Sequence, residues 1–496
     1  MRTIFTRICA GAFLLHFLTS SSCNAQQWQW AFKTERFDIK KTALADDGSA
    51  YVIGNFQDSC LFDGTVIHGA SSPDNTSLLC KIDQQGILSW YKKITGNAEF
   101  SCLGTIGNDV IVAGNFRHMS GFFNDIAADD EIFIARVSPS GSLIHYKREG
   151  GAGNQSLTDL VVESNKIIIS GNFYPNAVLS GNTLTGAGYI TAFFARYDEN
   201  LNIELAKQIL EKENSYGPML KTDAAGNIYL SGFYADTITF GNNDTTVYFQ
   251  PYSMETQVIK MNAAGKYRRI YLHLGNYGVF LRNFSSFQNG NYLLFLNDDY
   301  GCNHCCSGII LSKTDTGNNI LWQKKYGAGG VYSGDPQCMA VGDLVTTDSS
   351  LLCATFYTGD MKIGNDSIHG KGMCLFKTDH AGNFTYVKTF PYFIAPDRFS
   401  NQNNTSVLLS GHFEGEAYLD NLALHGGTYH TKFVAKYNDV AYPLSVPQVA
   451  KQNSIHIFPN PSPGEFYLDG IRSSCEIKIY SPQGNEVKII PIGSQQ

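Results

Sequence analysis

Apolar residues in this chain fall into short runs separated by polar turns, and one such run keeps returning. It closes in glycine, any residue, then an aromatic: Val52-Ile53-Gly54-Asn55-Phe56, Val112-Ala113-Gly114-Asn115-Phe116, Ile169-Ser170-Gly171-Asn172-Phe173, Leu230-Ser231-Gly232-Phe233-Tyr234 and Leu409-Ser410-Gly411-His412-Phe413. Degenerate copies stand at Leu293–Asp298 and Leu352–Phe356. The step averages about 60 residues, a spacing that belongs to repeat architectures. After a variable loop each copy is followed by a strand ending in a basic residue and a turn. Examples are Leu79-Cys80-Lys81-Ile82-Asp83 with Gly86, Ile134-Ala135-Arg136-Val137-Ser138 with Gly141, and Leu375-Phe376-Lys377-Thr378-Asp379 with Gly382. The polar residue and the glycine supply the backbone bonds and positive φ of a tight hairpin. Next comes a strand with an aromatic and a lysine, as in Trp90-Tyr91-Lys92, Tyr146-Lys147, Trp322-Gln323-Lys324 and Tyr386-Val387-Lys388. A weaker strand and turn precede each unit, clearest at Asp223-Ala224-Ala225-Gly226-Asn227.

Four strands per unit, repeated seven times, predict an all-β chain with a seven-bladed β-propeller over residues 26–440. The residue two before each basic position is large and apolar (Leu79, Ile134, Phe194, Val258, Leu311, Leu375, Val434), and the one between them is more often small. Apolar residues on both faces suit a blade packed between two neighbours. The last unit runs out at Lys436-Tyr437-Asn438 without its aromatic-and-lysine strand, while Trp28-Gln29-Trp30-Ala31-Phe32-Lys33 has one to spare. This segment is expected to complete the last blade and remove an open edge. The units resemble the secreted bacterial β-propeller repeat family, in the Asp223–Gly232 and Val434–Asn438 segments most closely. That resemblance covers roughly residues 28–440 and implies a fold and an extracellular setting rather than an activity. The segment Lys81–Trp90 departs from a sialidase Asp-box, which has Asp-x-Gly where Asp83-Gln84-Gln85-Gly86 stands.

The two ends carry an address. Arg2 and Arg7, an apolar run from Ile8 to Leu18 and small residues to Ala25 have the layout of a secretory signal peptide, residues 1–25. Lipid attachment at Cys23 would want Leu three positions earlier, where Ser20 stands. No apolar run is long enough for a transmembrane helix, so the chain is expected to be secreted or held at the cell surface. After a linker, 441–452, residues 453–496 alternate short strands with Pro/Gly turns. Phe458-Pro459-Asn460-Pro461 with Gly464, then Ile477-Lys478-Ile479-Tyr480 with Gly484, resembles the C-terminal sorting domain of type IX secretion. The resemblance implies the secretion machinery as a partner, through a domain shorter than the family's own.

Composition acts by exclusion. Charged residues are only 16%, whereas Gly numbers 48 and aromatics reach 13%, which argues against disorder, coiled coils and helix-rich enzymes. With a net charge of −7 and no basic run, nucleic acid is excluded as the expected partner.

Candidate chemistry is sparse. Asp38, Glu99, Asp159, Asp335 and Asp397 stand near the predicted innermost strands, where carboxylates gathered at a channel mouth would attract a divalent cation or a basic ligand. The competing reading has each carboxylate accept hydrogen bonds from a neighbouring blade. In an exported chain the cysteines are disulfide candidates: Cys302, Cys305, Cys306 and Cys338 in or near one loop, and Cys353 with Cys374 on adjacent strands. One Cys-x-x-Cys falls short of a zinc set, and no other cofactor is expected. No nucleophile elbow, P-loop, His-Glu-x-x-His or calcium loop is present. The resulting expectation is an extracellular binding or adhesion module for a protein or glycan, recognising it through the loops 57–76, 117–130 and 235–255. The alternatives are a polysaccharide lyase or glycosidase with carboxylates at the channel, and a structural spacer.

Overall fold

The computed structural model describes residues 26–439 apart from breaks at 72–74, 187, 189, 212–215, 224, 234–236, 241–244, 249–255, 273–278, 288–289, 298–307, 316–318, 327–337, 347–349, 360, 364–365, 401–405 and 428–430. Beyond Asp439, in a separate compact body, the described residues form the pairs His456–Phe458 with Tyr467–Asp469 and Cys475–Tyr480 with Glu486–Ile492. Every described element is a strand, and the strands of Gln27–Asp439 form antiparallel meanders in a propeller arrangement.

Strand β1 (Gln26–Glu35) is followed by β2 (Asp38–Leu44), β3 (Ala50–Phe56), a hairpin of β4 (Ser59–Phe62) and β5 (Thr65–His68), then β6 (Thr76–Ile82) and the 19-residue β7 (Leu88–Ile106). Next come β8 (Asp109–Gly121), β9 (Asp125–Val137) and β10 (Leu143–Glu149). After them stand β11 (Gly153–Glu163), β12 (Lys166–Leu179), β13 (Asn182–Thr185), β14 (Thr191–Tyr197) and β15 (Ile203–Glu211). Pairing runs β2-β3-β6-β7, then β7-β8-β9-β10, then β11-β12-β14-β15. Three later meanders, opening at Tyr216, Val279 and Cys338, stand as separate four-stranded sheets. The last runs Ile394–Ser400, Ser406–Phe413, Thr431–Asp439 and then β1, so the N-terminal strand takes the outer place that the C-terminal end leaves open. The sheets are fewer and larger than one per predicted blade. One cause is β7, whose first half is the outer strand of one meander and whose second half is the inner strand of the next.

The repeated glycine has a steric origin. Each described inner strand carries a bulge, after Ile39, Phe100, Leu157, Tyr216, Leu281, Ala340 and Pro396, and the glycine lies opposite the residue before it in four of these. The bulge pushes a carbonyl into the space a Cβ would fill: Asp38 O would lie 2.5 Å from a Cβ at Gly54, and Glu99 O, Ser156 O and Ala395 O crowd Gly114, Gly171 and Gly411 likewise. Rings from the third strand, Phe133, Phe193 and Phe433, close the other side. The aromatic two residues on is buried at Phe116, Phe173 and Phe413.

The other repeated residues clasp one meander to the next. Within the turn, Asp83 Oδ1 accepts the N–H groups of Gln85 and Ile87, at 2.9 and 2.8 Å. Asp198, Asp315 and Asp379 repeat the pattern. The turn's next carbonyl then faces the preceding meander. Pro139 O accepts Trp90 Nε1 at 2.9 Å and Lys81 Nζ at 3.3 Å; Glu199 O accepts Arg136 at 2.9 Å; His380 O accepts Lys313 at 2.8 Å and Trp322 Nε1 at 3.1 Å. Ala263 O accepts Arg196 in the same way. Side chains bury on both faces in consequence: along β6, Leu79 joins Val112 and Phe133, while Leu78 and Cys80 join Trp30, Leu408 and Val434.

Inner strands follow one another around a cycle: β2 lies beside β7, β7 beside β11, β11 beside Tyr216–Thr222, then Val279–Phe287, Cys338–Thr346 and Ile394–Ser400, which returns to β2. At the seam Thr42 Oγ1 meets Ser400 Oγ at 2.7 Å and Lys436 Nζ donates to Gly48 O at 2.8 Å. The neighbour of Thr431–Asp439 is β1, from the other end of the chain, and burial pushes Lys377 down to about 8.

The loops expected to present a recognition face are largely committed to the scaffold. β4 pairs with β1 (Thr34 opposite Phe62), the far end of β8 pairs with β7 (Ile94 opposite Gly121), and Thr237–Phe240 pairs with β15 (Ile209 opposite Phe240). Each hairpin therefore covers the outer edge of the preceding meander, the part of a sheet that otherwise templates aggregation.

Deleting Gln26–Lys33 should lower the melting temperature by roughly 10 °C or more, since it opens the ring and exposes Thr431–Asp439. An unchanged melting temperature would contradict this role. Gly114→Ala should cost about 1–3 kcal/mol in urea denaturation through overpacking against Glu99 O and Phe133. Gly427→Ala, with nothing within 4 Å of the new Cβ, should be near neutral.

Candidate functional site

A pocket forms where β7 passes from one meander to the next. The bend is at Gly96, with φ 98°, where any Cβ would lie 2.6 Å from His118 O. The register slips between Asn97 and Ala98, and Glu99 then falls opposite Asn115. Around this bend lies a cavity of about 360 Å³ whose walls include Asn55 of β3, Glu99 of β7, Asn115 of β8 and Gln155 of β11. Asn75 and Asp130 join them from two of the loops singled out in the sequence, so those loops contribute walls as well as edge cover. Phe116, buried, also lines the pocket, and the Arg148 guanidinium lies 5.8 Å from its ring centroid.

The polar groups of the pocket are held from neighbouring strands. Glu99 accepts Asn55 Nδ2 at 3.1 Å and Ser101 Oγ at 3.3 Å. Asn115 accepts the N–H of Leu157 at 2.7 Å and donates to Ser101 Oγ at 3.2 Å. Gln155 donates to Asn176 O at 2.9 Å, and Asp130 is paired with Arg117 at 3.1 Å. The oxygens Asn55 Oδ1 and Gln155 Oε1 are turned away into the protein, where they have no hydrogen-bond partner among the described residues. The sequence signal for this site was the residue between glycine and aromatic, Asn in three copies (Asn55, Asn115, Asn172), which the repeat pattern leaves without a role.

The candidate carboxylates occupy different registers. Asp38, opposite Asn55, and Glu99, opposite Asn115, are equivalent; Asp397 is the bulged residue of its strand, and Asp159 lies just past a bulge, opposite Ser170. Asp335 lies outside the described residues. Asp38 is exposed and pairs with Lys40 at 2.7 Å. Asp397 meets Lys432 at 3.0 Å and His412 at 3.3 Å; burial pushes its carboxyl up, and these two partners outweigh burial and lower it.

Asp159 is the most enclosed of the set, 9% exposed. It pairs with Lys41 from β2 and accepts the N–H of Leu220 at 2.9 Å from the strand Tyr216–Thr222, tying three meanders together. Burial raises its carboxyl, but Lys41, Lys221 and these hydrogen bonds prevail and hold it below the ordinary range. Lys41 is the mirror case: burial lowers it, while Asp159 prevails and raises it. Here a carboxylate does accept a backbone N–H from the neighbouring meander, and it also pairs with a lysine two meanders away that sequence reasoning passed over.

Cys353 and Cys374 are buried, and no disulfide joins them. Cys374 lies opposite Thr355 and Cys353 opposite Phe376, so the two are diagonal neighbours; such pairs have Cα atoms about 7–8 Å apart, beyond the reach of a disulfide. Cys302, Cys305 and Cys306 lie outside the described residues, as does the side chain of Cys338, which opens the strand Cys338–Thr346. Among the described residues no three His, Cys, Asp or Glu side chains gather to hold a metal. Of the sorting motif, Tyr480 ends the strand Cys475–Tyr480, opposite Glu486; Pro459, Asn460, Pro461, Gly464 and Gly484 lie outside the described residues.

Asp159→Asn should lower stability by about 3–5 kcal/mol at neutral pH, because it leaves Lys41 buried without a counter-charge. The Asp159 carboxyl titrates lower folded than unfolded, so its stabilisation is complete above about pH 4–5 and is lost as pH falls through the folded value. Urea midpoints of wild type and variant should therefore differ widely at pH 7, with the gap narrowing steadily as pH is lowered below about 4; a gap independent of pH would contradict the pairing.

No family model matches the chain, and no curated protein matches it. Among solved structures it is similar to the β-propeller domain of the Trilobed protease from Pyrococcus furiosus, at 9% identity and TM-score 0.35, over 72% of this chain and 96% of that one. It is also similar to a protein of unknown function from Bacteroides caccae, at 12% identity and TM-score 0.28, over 58% of this chain and 82% of that one. A Synechocystis apocarotenoid oxygenase matches at 9% identity and TM-score 0.38, over 82% of this chain and 97% of that one.

Proposed function

We propose that the chain is an exported, seven-bladed β-propeller acting as an extracellular or cell-surface binding module, with the pocket around Glu99 as its recognition site. The blade count is supported by the cycle of inner strands, in which β2, the second half of β7, β11 and four later strands each contact the next. Export is supported by the leader-like residues 1–25 and by the type IX-like motif after residue 453. The observation that carries the binding reading is the pocket itself: a cavity lined by the Glu99 carboxylate and by the side chains of Asn55, Asn97, Asn115 and Gln155, brought together from several strands. The lyase or glycosidase reading is less well supported, because Asp130 is tied to Arg117 and Glu99 is engaged by Asn55 and Ser101.

Labelled full-length chain passed over immobilised extracellular proteins and glycans should be retained on a subset of them. Glu99→Gln should weaken that retention about tenfold or more, while Leu143→Ser on exposed β10 should leave it unchanged. Equal retention of wild type and Glu99→Gln would move recognition away from the pocket.

A further inference from the structure

Resting on that reading, we propose that the pocket takes a neutral sugar, the hydroxyls of a hexose ring on an extracellular glycan. Four wall groups are open to such an occupant. Asn97 of β7 and Ser156 of β11 are exposed, and among the described residues neither side chain makes a hydrogen bond. Asn75, exposed in the loop before β6, is engaged once, with Gln57 at 2.9 Å, which leaves the other end of its amide open. Glu99 is half-buried and carries one bond on each carboxylate oxygen, from Asn55 on Oε2 and Ser101 on Oε1, where a carboxylate has about four acceptor sites. Two strands and a loop thus bring uncommitted donors and acceptors to one cavity.

The mixture of these groups selects the ligand class. An amide presents a donor and an acceptor side by side, a serine hydroxyl is both, and the Glu99 carboxylate only accepts. Ring hydroxyls answer all of them, because each donates one bond and accepts others. Other classes meet fewer. A cation would use the carboxylate and leave the amide donors of Asn75 and Asn97 idle, and among the described residues no three His, Cys, Asp or Glu side chains gather for a metal. An anion would face Glu99, while Asp130 is already paired with Arg117 at 3.1 Å. The apolar anchor of a protein partner would want an apolar wall, but Ala98 and Phe116, the apolar side chains lining the pocket, are 7% and 2% exposed. A cavity of about 360 Å³ admits a sugar ring. With no exposed aromatic in its walls to stack on, one ring is held by hydrogen bonds alone, and its Kd is expected on the order of 1 mM.

The test is saturation-transfer NMR on the full-length chain, which reads weak binding, with methyl α-glucoside, methyl α-mannoside and methyl β-galactoside as neutral probes and Nα-acetyl-lysine methylamide as a cationic one. At least one glycoside should bind, with a Kd unmoved by added salt, since a neutral ligand leaves no ion pair to screen. Asn97→Ala and Ser156→Ala, at exposed positions that leave the described hydrogen bonds of the scaffold in place, should each weaken it about threefold or more, and Glu99→Gln about tenfold or more. Binding of the lysine probe alone, weakened by salt and by Glu99→Gln, would overturn the sugar assignment and leave the pocket as a recognition site. Glycoside binding indifferent to all three substitutions would also overturn it, by moving the sugar elsewhere on the chain. Silence from every probe would overturn it as well, and retention of the chain on immobilised proteins, lost in Glu99→Gln, would then separate that failure from failure of the pocket itself.

Discussion

A meander with apolar residues on both faces is stable only between two others, so the whole structure depends on the ring having no end. Strand β1 meets that constraint. Trp28, Trp30 and Phe32 are buried in the cores on either side of the seam, and burial of side chains of this size is worth about 1.5–3 kcal/mol each. Around the rest of the ring the clasp repeats: a carbonyl in one turn receives a tryptophan N–H or a basic side chain from the meander before it. The last meander finishes with a strand from the other end of the chain.

Much of this was legible as repetition and little of it as contact. The glycine, the basic residue and the Asp-x-x-Gly turn all recur in the sequence, and their strands lie where the pattern puts them. Their purpose is visible only in three dimensions: Gly114 makes room for the bulged carbonyl of Glu99, and Lys81 serves Pro139 in the next meander rather than its own hairpin. Loop length misled, since a long connection between second and third strands reads as a free surface until its hairpin is seen pairing with a neighbour's edge. Register misled for Cys353 and Cys374, because adjacent strands can place two cysteines diagonally rather than face to face.

The pocket lay beyond sequence reasoning for a related reason. Its residues come from five strands and a loop, and only Glu99 stood out by type. Asn55 and Asn115 were visible as a repeated letter, while Gln155 and the Lys41–Asp159 pair, whose partners are 118 residues apart, had no local signal at all. Scaffold and site share one origin. The bend of β7 at Gly96, where the strand leaves one meander for the next, lines the cavity, and Asn55 Nδ2 donates to Glu99 just past it.

Closure of the ring by β1 is tested most directly by hydrogen exchange on the intact protein, read in peptides spanning Gln26–Glu35 and Thr431–Asp439. The two segments should be protected together and to the same degree as the neighbouring strand Ser406–Phe413, because all three belong to one sheet. Exchange of Gln26–Glu35 within seconds, with Ser406–Phe413 still protected, would contradict a ring closed by its N-terminal strand.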